Sequence, residues 1–193
     1  REGERVSRPQ VIVDVDGVLN TLMRDTLDAY TRQTGQLIAW ERLNTYWIED
    51  SLTLEETEAV HQIWSDKGFW RNLNVATGAI KTLRDMIYDG DEIRIVTAIS
   101  PDLFEIRVNW IAEHFPFINP HNIVCCSNKY WVKGDFIIED SLDNLVKHDA
   151  YRICMNKPWN NRGAEYDDVH LIKRVNTLAE ARAYINETWK EIE

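Results

Sequence analysis

Two aspartates one residue apart, Asp14 and Asp16, stand directly after the apolar run Val11-Ile12-Val13 and before Gly17. A β-branched run of this kind reads as a strand buried on both faces. The acids then fall at its carboxyl end, the edge where open α/β sheets place their ligands. If the chain left the strand in extended form, both side chains would face the same way. Their repulsion would be costly unless a cation sat between them or one took up a proton. A hard, oxygen-binding cation such as Mg²⁺ meets that requirement. The chemistry this allows is attack on phosphorus by Asp14 as nucleophile, with Asp16 as general acid and base. The competing readings are an ordinary acidic turn and a calcium loop. An EF-hand loop needs a third oxygen ligand before its glycine, a closing Glu and flanking helices, whereas a strand comes first here.

Further polar groups recur where later strands should end: Thr97 and Ala98 after Ile93-Arg94-Ile95-Val96, Lys129 after Ile123 to Cys126, and Glu139-Asp140 after Phe136-Ile137-Ile138. A transferring phosphoryl group needs donors for its equatorial oxygens, a cation to offset an attacking carboxylate, and an acid to hold metal. Thr97 with neighbouring backbone N–H groups, Lys129 and Asp140 would supply these in turn.

Positioning such groups requires alternating strands and helices. Apolar spacing predicts helices over Arg24 to Leu37, from the capping box Thr53-Leu54-Glu55-Glu56 to Trp64, over Thr77 to Tyr88 with a stop at Gly90, from Ser100-Pro101 to Phe115, and after Ser141 and Thr177. Strands are expected at Val11 to Asp14, Glu92 to Val96, Asn122 to Cys126, Asp135 to Ile138 and Tyr151 to Met155. The alternation implies an α/β fold, a doubly wound, parallel Rossmann-like sheet. The segment from Lys157 to Asp168, rich in Asn, Gly and Pro, is expected to be a mobile loop.

A chain of 193 residues, 44% hydrophobic, can bury one full core. Its net charge of −10 repels long phosphate polymers, so a nucleic acid polymer is not an expected partner, while a small anion can still enter a locally positive cleft. No apolar run approaches membrane-spanning length, and the opening Arg1 to Gln10 is charged rather than signal-like, so no membrane partner is expected. The odd set Cys125, Cys126 and Cys154, without metal spacing, favours reduced thiols and a cytoplasmic setting. The histidines share no zinc spacing, and no Gly-rich P-loop is present.

The order Asp-x-Asp-Gly, Thr, Lys, acidic pair resembles the four motifs of the haloacid dehalogenase superfamily. Gly68-Phe69-Trp70-Arg71-Asn72-Leu73, the run Asn128-Lys129 through Glu139-Asp140, and Lys157-Pro158-Trp159-Asn160 resemble segments of its 5′(3′)-deoxyribonucleotidase family, of bacterial or viral type. The resemblance implies a Mg²⁺-dependent 5′-nucleotidase that hydrolyses nucleoside monophosphates through an aspartyl-phosphate. It implies Asp14 and Asp16 as catalytic pair, metal ligands from Asp14, the Asp16 carbonyl and Asp140, and phosphate held by Thr97, Ala98 and Lys129. A core of residues 10–21 and 74–193 would carry a helical cap of residues 22–73, inserted after the first strand. Within that cap, Tyr46, Trp47 and Trp70 are the expected base-pocket aromatics, while Trp40 and Trp64 are read as packing. Relatives of the family are often homodimers, though no interface signature here demands one. Ser127 and Leu22 depart from the Arg and Phe of mammalian-type relatives, so base preference does not transfer. Rival readings are a phosphatase of another small phosphomonoester such as a phosphosugar, a phosphotransferase, and a catalytically silent nucleotide-binding protein.

Overall fold

The computed structural model describes residues 8–192, so the charged opening lies outside the described residues as far as position 7. Six strands form one parallel sheet: β1 (Gln10–Val13), β2 (Glu92–Thr97), β3 (Ile123–Cys125), β4 (Phe136–Glu139), β5 (Tyr151–Met155) and β6 (Ile172–Val175), in the order β3-β2-β1-β4-β5-β6. The chain winds outward from β1 in one direction and then returns to its other side at β4. That reversal opens a crevice beyond the carboxyl ends of β1 and β4.

The central strand is buried on both faces, as its composition requires. Val11 and Val13 pack with Leu83, Met86, Ile111 and Ile185, and so against α4 (Ala79–Asp89), α5 (Phe104–His114) and α8 (Leu178–Ile192). Ile12 points the other way, joining Leu142 and Leu145 of α6 (Leu142–Val146). Each such aliphatic, wholly withdrawn from water, contributes roughly 1.5–3 kcal/mol, which fixes the strand register beneath the site.

Between β1 and α4 the chain inserts α1 (Leu22–Thr34), α2 (Leu54–Ser65) and α3 (Lys67–Arg71). The fold is therefore the α/β class with a helical insertion that the sequence implied. The insertion has its own apolar cluster, built on Leu27, Tyr30, Leu43, Ile48, Val60 and Ile63. α2 begins with the expected capping box, Thr53 accepting from Glu56 N–H and Glu56 reaching back to Thr53 N–H. α1 ends earlier than its apolar spacing suggested. Gly35 adopts φ +70 and its N–H bonds Thr31 O, leaving Leu37 outside the helix and 81% exposed. The two passages into and out of the insertion are joined by an antiparallel bridge, Asn20 to Val75, and Asp25 accepts from Asn74 N, Asn74 Nδ2 and Thr21 Oγ1.

Two expectations need correction. The segment from Lys157 to Asp168 is not an open loop: a 3-10 turn at Pro158–Asn160 buries Trp159 and Asn160, and α7 (Ala164–His170) follows. Beyond it lies β6, an edge strand absent from the sequence reading, whose Lys173 and Arg174 dilute the apolar pattern. Cys125, Cys126 and Cys154 are unbridged, and among the described residues no helix is long and apolar enough to cross a membrane.

One buried group works against the fold. Both Asp91 carboxylate oxygens lack a hydrogen-bond partner among the described residues, and burial, reinforced by Asp89, pushes its pKa up to about 6. An acid raised in the folded state costs stability once it ionises. The penalty is absent only well below the ordinary carboxyl pKa, is small at pH 4, grows as pH climbs towards 6, and is full above that. Asp91→Asn is expected to gain about 1 kcal/mol at pH 8 and only a small fraction of that at pH 4, read from urea denaturation at the two pH values.

Candidate active site

Asp14 sits one residue past β1, its N–H continuing the ladder to Ile138 O at 3.0 Å. The chain then turns instead of staying extended: Val15 O accepts from Val18, Leu19 and Asn20, and Gly17 takes φ +74. A Cβ at Gly17 would collide with Asp140 Oδ2, so both the conformation and the space require glycine. The extended exit that would have set the two side chains facing the same way is therefore not the one the chain takes, although both aspartates still line one cavity. Each finds its own cation. Asp14 Oδ1 lies 2.6 Å from Lys129 Nζ, whereas Asp16 is held by Arg107 Nη2 at 2.8 Å and by Asn20 Nδ2 at 2.8 Å.

Lys129 opens a 3-10 turn, Lys129–Trp131, after β3 and is only 2% exposed. It also contacts Glu139 Oε2 at 2.6 Å. Burial disfavours its charge, but Asp14 and Glu139 outweigh that and push its pKa up, so the ammonium is firmly charged. Glu139, at the end of β4, is saturated. Its Oε1 accepts the N–H groups of Asp140 and Ser141, and its Oε2 accepts from Lys129 and Asn144. Ser141, expected to cap α6 through its hydroxyl, instead gives its N–H to Glu139.

Carboxylate oxygens of Asp14, Glu139 and Asp140 all lie within 4.8 Å of one another. Among the described residues, one lysine is bonded to two of these three buried acids, Asp14 and Glu139. Burial, then Glu139, raises Asp14 well above the usual carboxylate range, and burial, then Asp14, pushes Asp140 up to about 7. Lys157 acts on Asp140 in the opposite sense without cancelling the effect. This excess of negative charge and hard oxygen donors suits a divalent cation. With Glu139 saturated, Asp14 and Asp140 are the carboxylates left to hold it.

A cavity of about 250 Å³ opens over these acids. It brings Asp14, Asp16, Ala98, Lys129 and Asp140 together with Tyr46, Trp47 and Trp70. Thr97 is fully buried beside Ala98, and its Oγ1 has no partner among the described residues. Leu22 lines the cavity, as does Trp64, which the sequence reading treated as packing. Trp40 does pack: it meets Trp159 edge to face at 5.5 Å, with the Arg24 guanidinium over its ring. Trp159 also lines the cavity, reaching from the turn after β5 into the insertion's apolar cluster. Asn160 anchors that turn, donating to Asp140 O and Met155 O at 2.8 Å each and accepting from Arg174.

The family model described as 5′ nucleotidase, deoxy (Pyrimidine), cytosolic type C protein matches residues 8–186. The chain belongs to this nucleotidase family. A 5′(3′)-deoxyribonucleotidase of Clostridium acetobutylicum is 30% identical over 157 residues, covering 80% of this chain and 86% of that protein. One from Bacillus subtilis is 28% identical over 151 residues, covering 78% and 86%. A haloacid dehalogenase family hydrolase of Deinococcus radiodurans, crystallised with bound phosphate and sodium, shares the fold, with a TM-score of 0.60 at 16% identity over 93% of this chain and 96% of that one. This nucleotidase family member is a phosphoric monoester hydrolase.

Sequence reasoning missed Arg107, Asn20 and the bonds of Glu139 to Lys129 and to the N–H groups of Asp140 and Ser141. Asn20 had a signal, its spacing of four from Asp16 around a glycine turn. Arg107 had none, being one arginine in a long helix far from the aspartates in sequence.

Proposed function

We propose that the chain is a Mg²⁺-dependent 5′-nucleotidase hydrolysing deoxyribo- or ribonucleoside monophosphates through an aspartyl-phosphate on Asp14. The supporting observation is the buried group Asp14, Lys129 and Asp140 opening into a cavity walled by aromatic rings. Mg²⁺, held by the Asp14 and Asp140 carboxylates and the Asp16 carbonyl, would offset the charge of the phosphate against the acids. Lys129, the Thr97 hydroxyl and the Ala98 N–H would bind the equatorial phosphate oxygens, and Lys129 together with the metal would favour the ionised Asp14 that attacks, against the burial and the Glu139 charge that oppose it. An Asp14 Oδ–P bond forms as the P–O5′ bond breaks, and Asp16 protonates the departing O5′. Asp16 then takes a proton from the water that releases phosphate.

Residues 22–73 act as the cap, with Tyr46, Trp47 and Trp70 stacking on the base and excluding water. Unbridged cysteines and a small nucleotide substrate are in keeping with a cytoplasmic enzyme.

Phosphate release from deoxyribo- and ribonucleotides, deoxyribose 5-phosphate and glucose 6-phosphate, with Mg²⁺ and with chelator, tests this reading. Nucleotides are expected to exceed deoxyribose 5-phosphate in kcat/KM by roughly tenfold or more, since the base supplies binding that the sugar lacks. Chelator is expected to abolish release. Equal kcat/KM with and without the base would replace the nucleotidase by a general small-phosphomonoester phosphatase.

A further inference from the structure

Arg107 is a buried cation that the chemistry above does not use. It rises from α5, is 2% exposed, and its Nη2 lies 2.8 Å from Asp16 Oδ1 and 2.9 Å from Oδ2. Its guanidinium stands 5.8 Å from the centroid of Trp70, whose indole N–H is fixed on Trp64 O at 2.7 Å. The cation is therefore sandwiched between a cavity-wall ring and the second aspartate. Its Nη1 is buried without a partner among the described residues. Asn20 holds Asp16 Oδ1 from the other side and is itself fixed by the N–H groups of Gly17 and Leu22.

Resting on the nucleotidase reading, we infer that Arg107 is a positioning residue for Asp16, fixing its carboxylate so that it delivers a proton to O5′ as the P–O5′ bond breaks. The electron pair of that bond goes to O5′, and the proton of Asp16 neutralises it, leaving the nucleoside and the phosphorylated Asp14. Arg107 touches neither substrate nor phosphate and acts only through Asp16.

A positioned acid matters in proportion to the leaving group's need for a proton. A nucleoside alkoxide needs one, whereas p-nitrophenolate departs without it. Since kcat/KM reports the steps up to phosphoryl transfer to the enzyme, the informative quantity is the ratio of kcat/KM for deoxyribose 5-phosphate, whose alkoxide leaving group has no base to stack on Trp70, to that for p-nitrophenyl phosphate. Measured on one preparation, this ratio is independent of the folded fraction. Arg107→Gln is expected to lower the ratio about 100-fold, the lower range of general acid catalysis. Arg107→Lys, able to place one nitrogen between both carboxylate oxygens, is expected to lower it less than tenfold. A ratio unchanged or raised in Arg107→Gln would overturn the inference, as would failure to obtain that variant folded, since the ion pair would then be structural. Wild-type enzyme that hydrolyses p-nitrophenyl phosphate but no nucleotide would remove the nucleotidase reading as well. Nucleotide turnover with an unmoved ratio would remove the Arg107 inference alone.

Discussion

Asp14→Asn is expected to lose at least about 10⁴-fold in phosphate release while melting no lower than the parent. The loss follows from the chemistry proposed, because an amide cannot take the place of the attacking carboxylate. The stability expectation has a separate origin. Asp14 is buried beside Glu139, which raises its pKa well above the usual range, so its charge opposes folding in the absence of metal. An isosteric amide removes that charge and leaves Lys129 paired with Glu139 at 2.6 Å. Phosphate release and a thermal melt in chelator check both halves. Residual turnover near the parent level would move the nucleophile elsewhere, and a markedly lower melting temperature would show that Lys129 needs both acids.

Lys129→Met, one bond away, is expected to behave oppositely in stability. It removes the one cation bonded to Asp14 and Glu139 among the described residues, leaving uncompensated charge in a dry site. Breaking a buried ion pair from one side costs about 3–5 kcal/mol. The cost depends on pH in a defined direction. Asp14 and Asp140 already bind protons more tightly in the folded chain than in the unfolded one, and loss of the lysine strengthens that difference. The variant therefore regains stability as pH falls through about 7 towards 5 and loses it as pH rises. Urea denaturation at pH 8 and pH 5 in chelator measures this. A deficit equal at both pH values would mean that lost packing, not charge, is responsible.

The strand ends carrying Asp14, Thr97 and Asp140 were legible because a parallel sheet favours apolar runs that halt at a polar residue, and Lys129 because it follows the short β3 closely. What surrounds those groups was not. What Asp16 would meet depended on the turn that the chain makes through Gly17, where its carboxylate pairs with Arg107 of α5. Its partner there lies 91 residues away in sequence. The turn holding Trp159 was read as mobile because Asn, Gly and Pro carry local turn signals only. It is anchored by Arg174, the carbonyl of Met155 and the carbonyl of Asp140, none of which a local pattern reveals. β6 escaped for a related reason: an edge strand with two basic residues gives neither an apolar run nor clean alternation.

The indole of Trp159 turns the helical insertion from a flap on two strings into a plate pinned at a third corner. Any swing that widened the entrance would have to draw this ring from an oily socket shared with Leu27 and Tyr30, or carry its whole turn along. Transplanting residues 22–73 between relatives would therefore exchange a lock without its key unless residues 158–160 travelled with them.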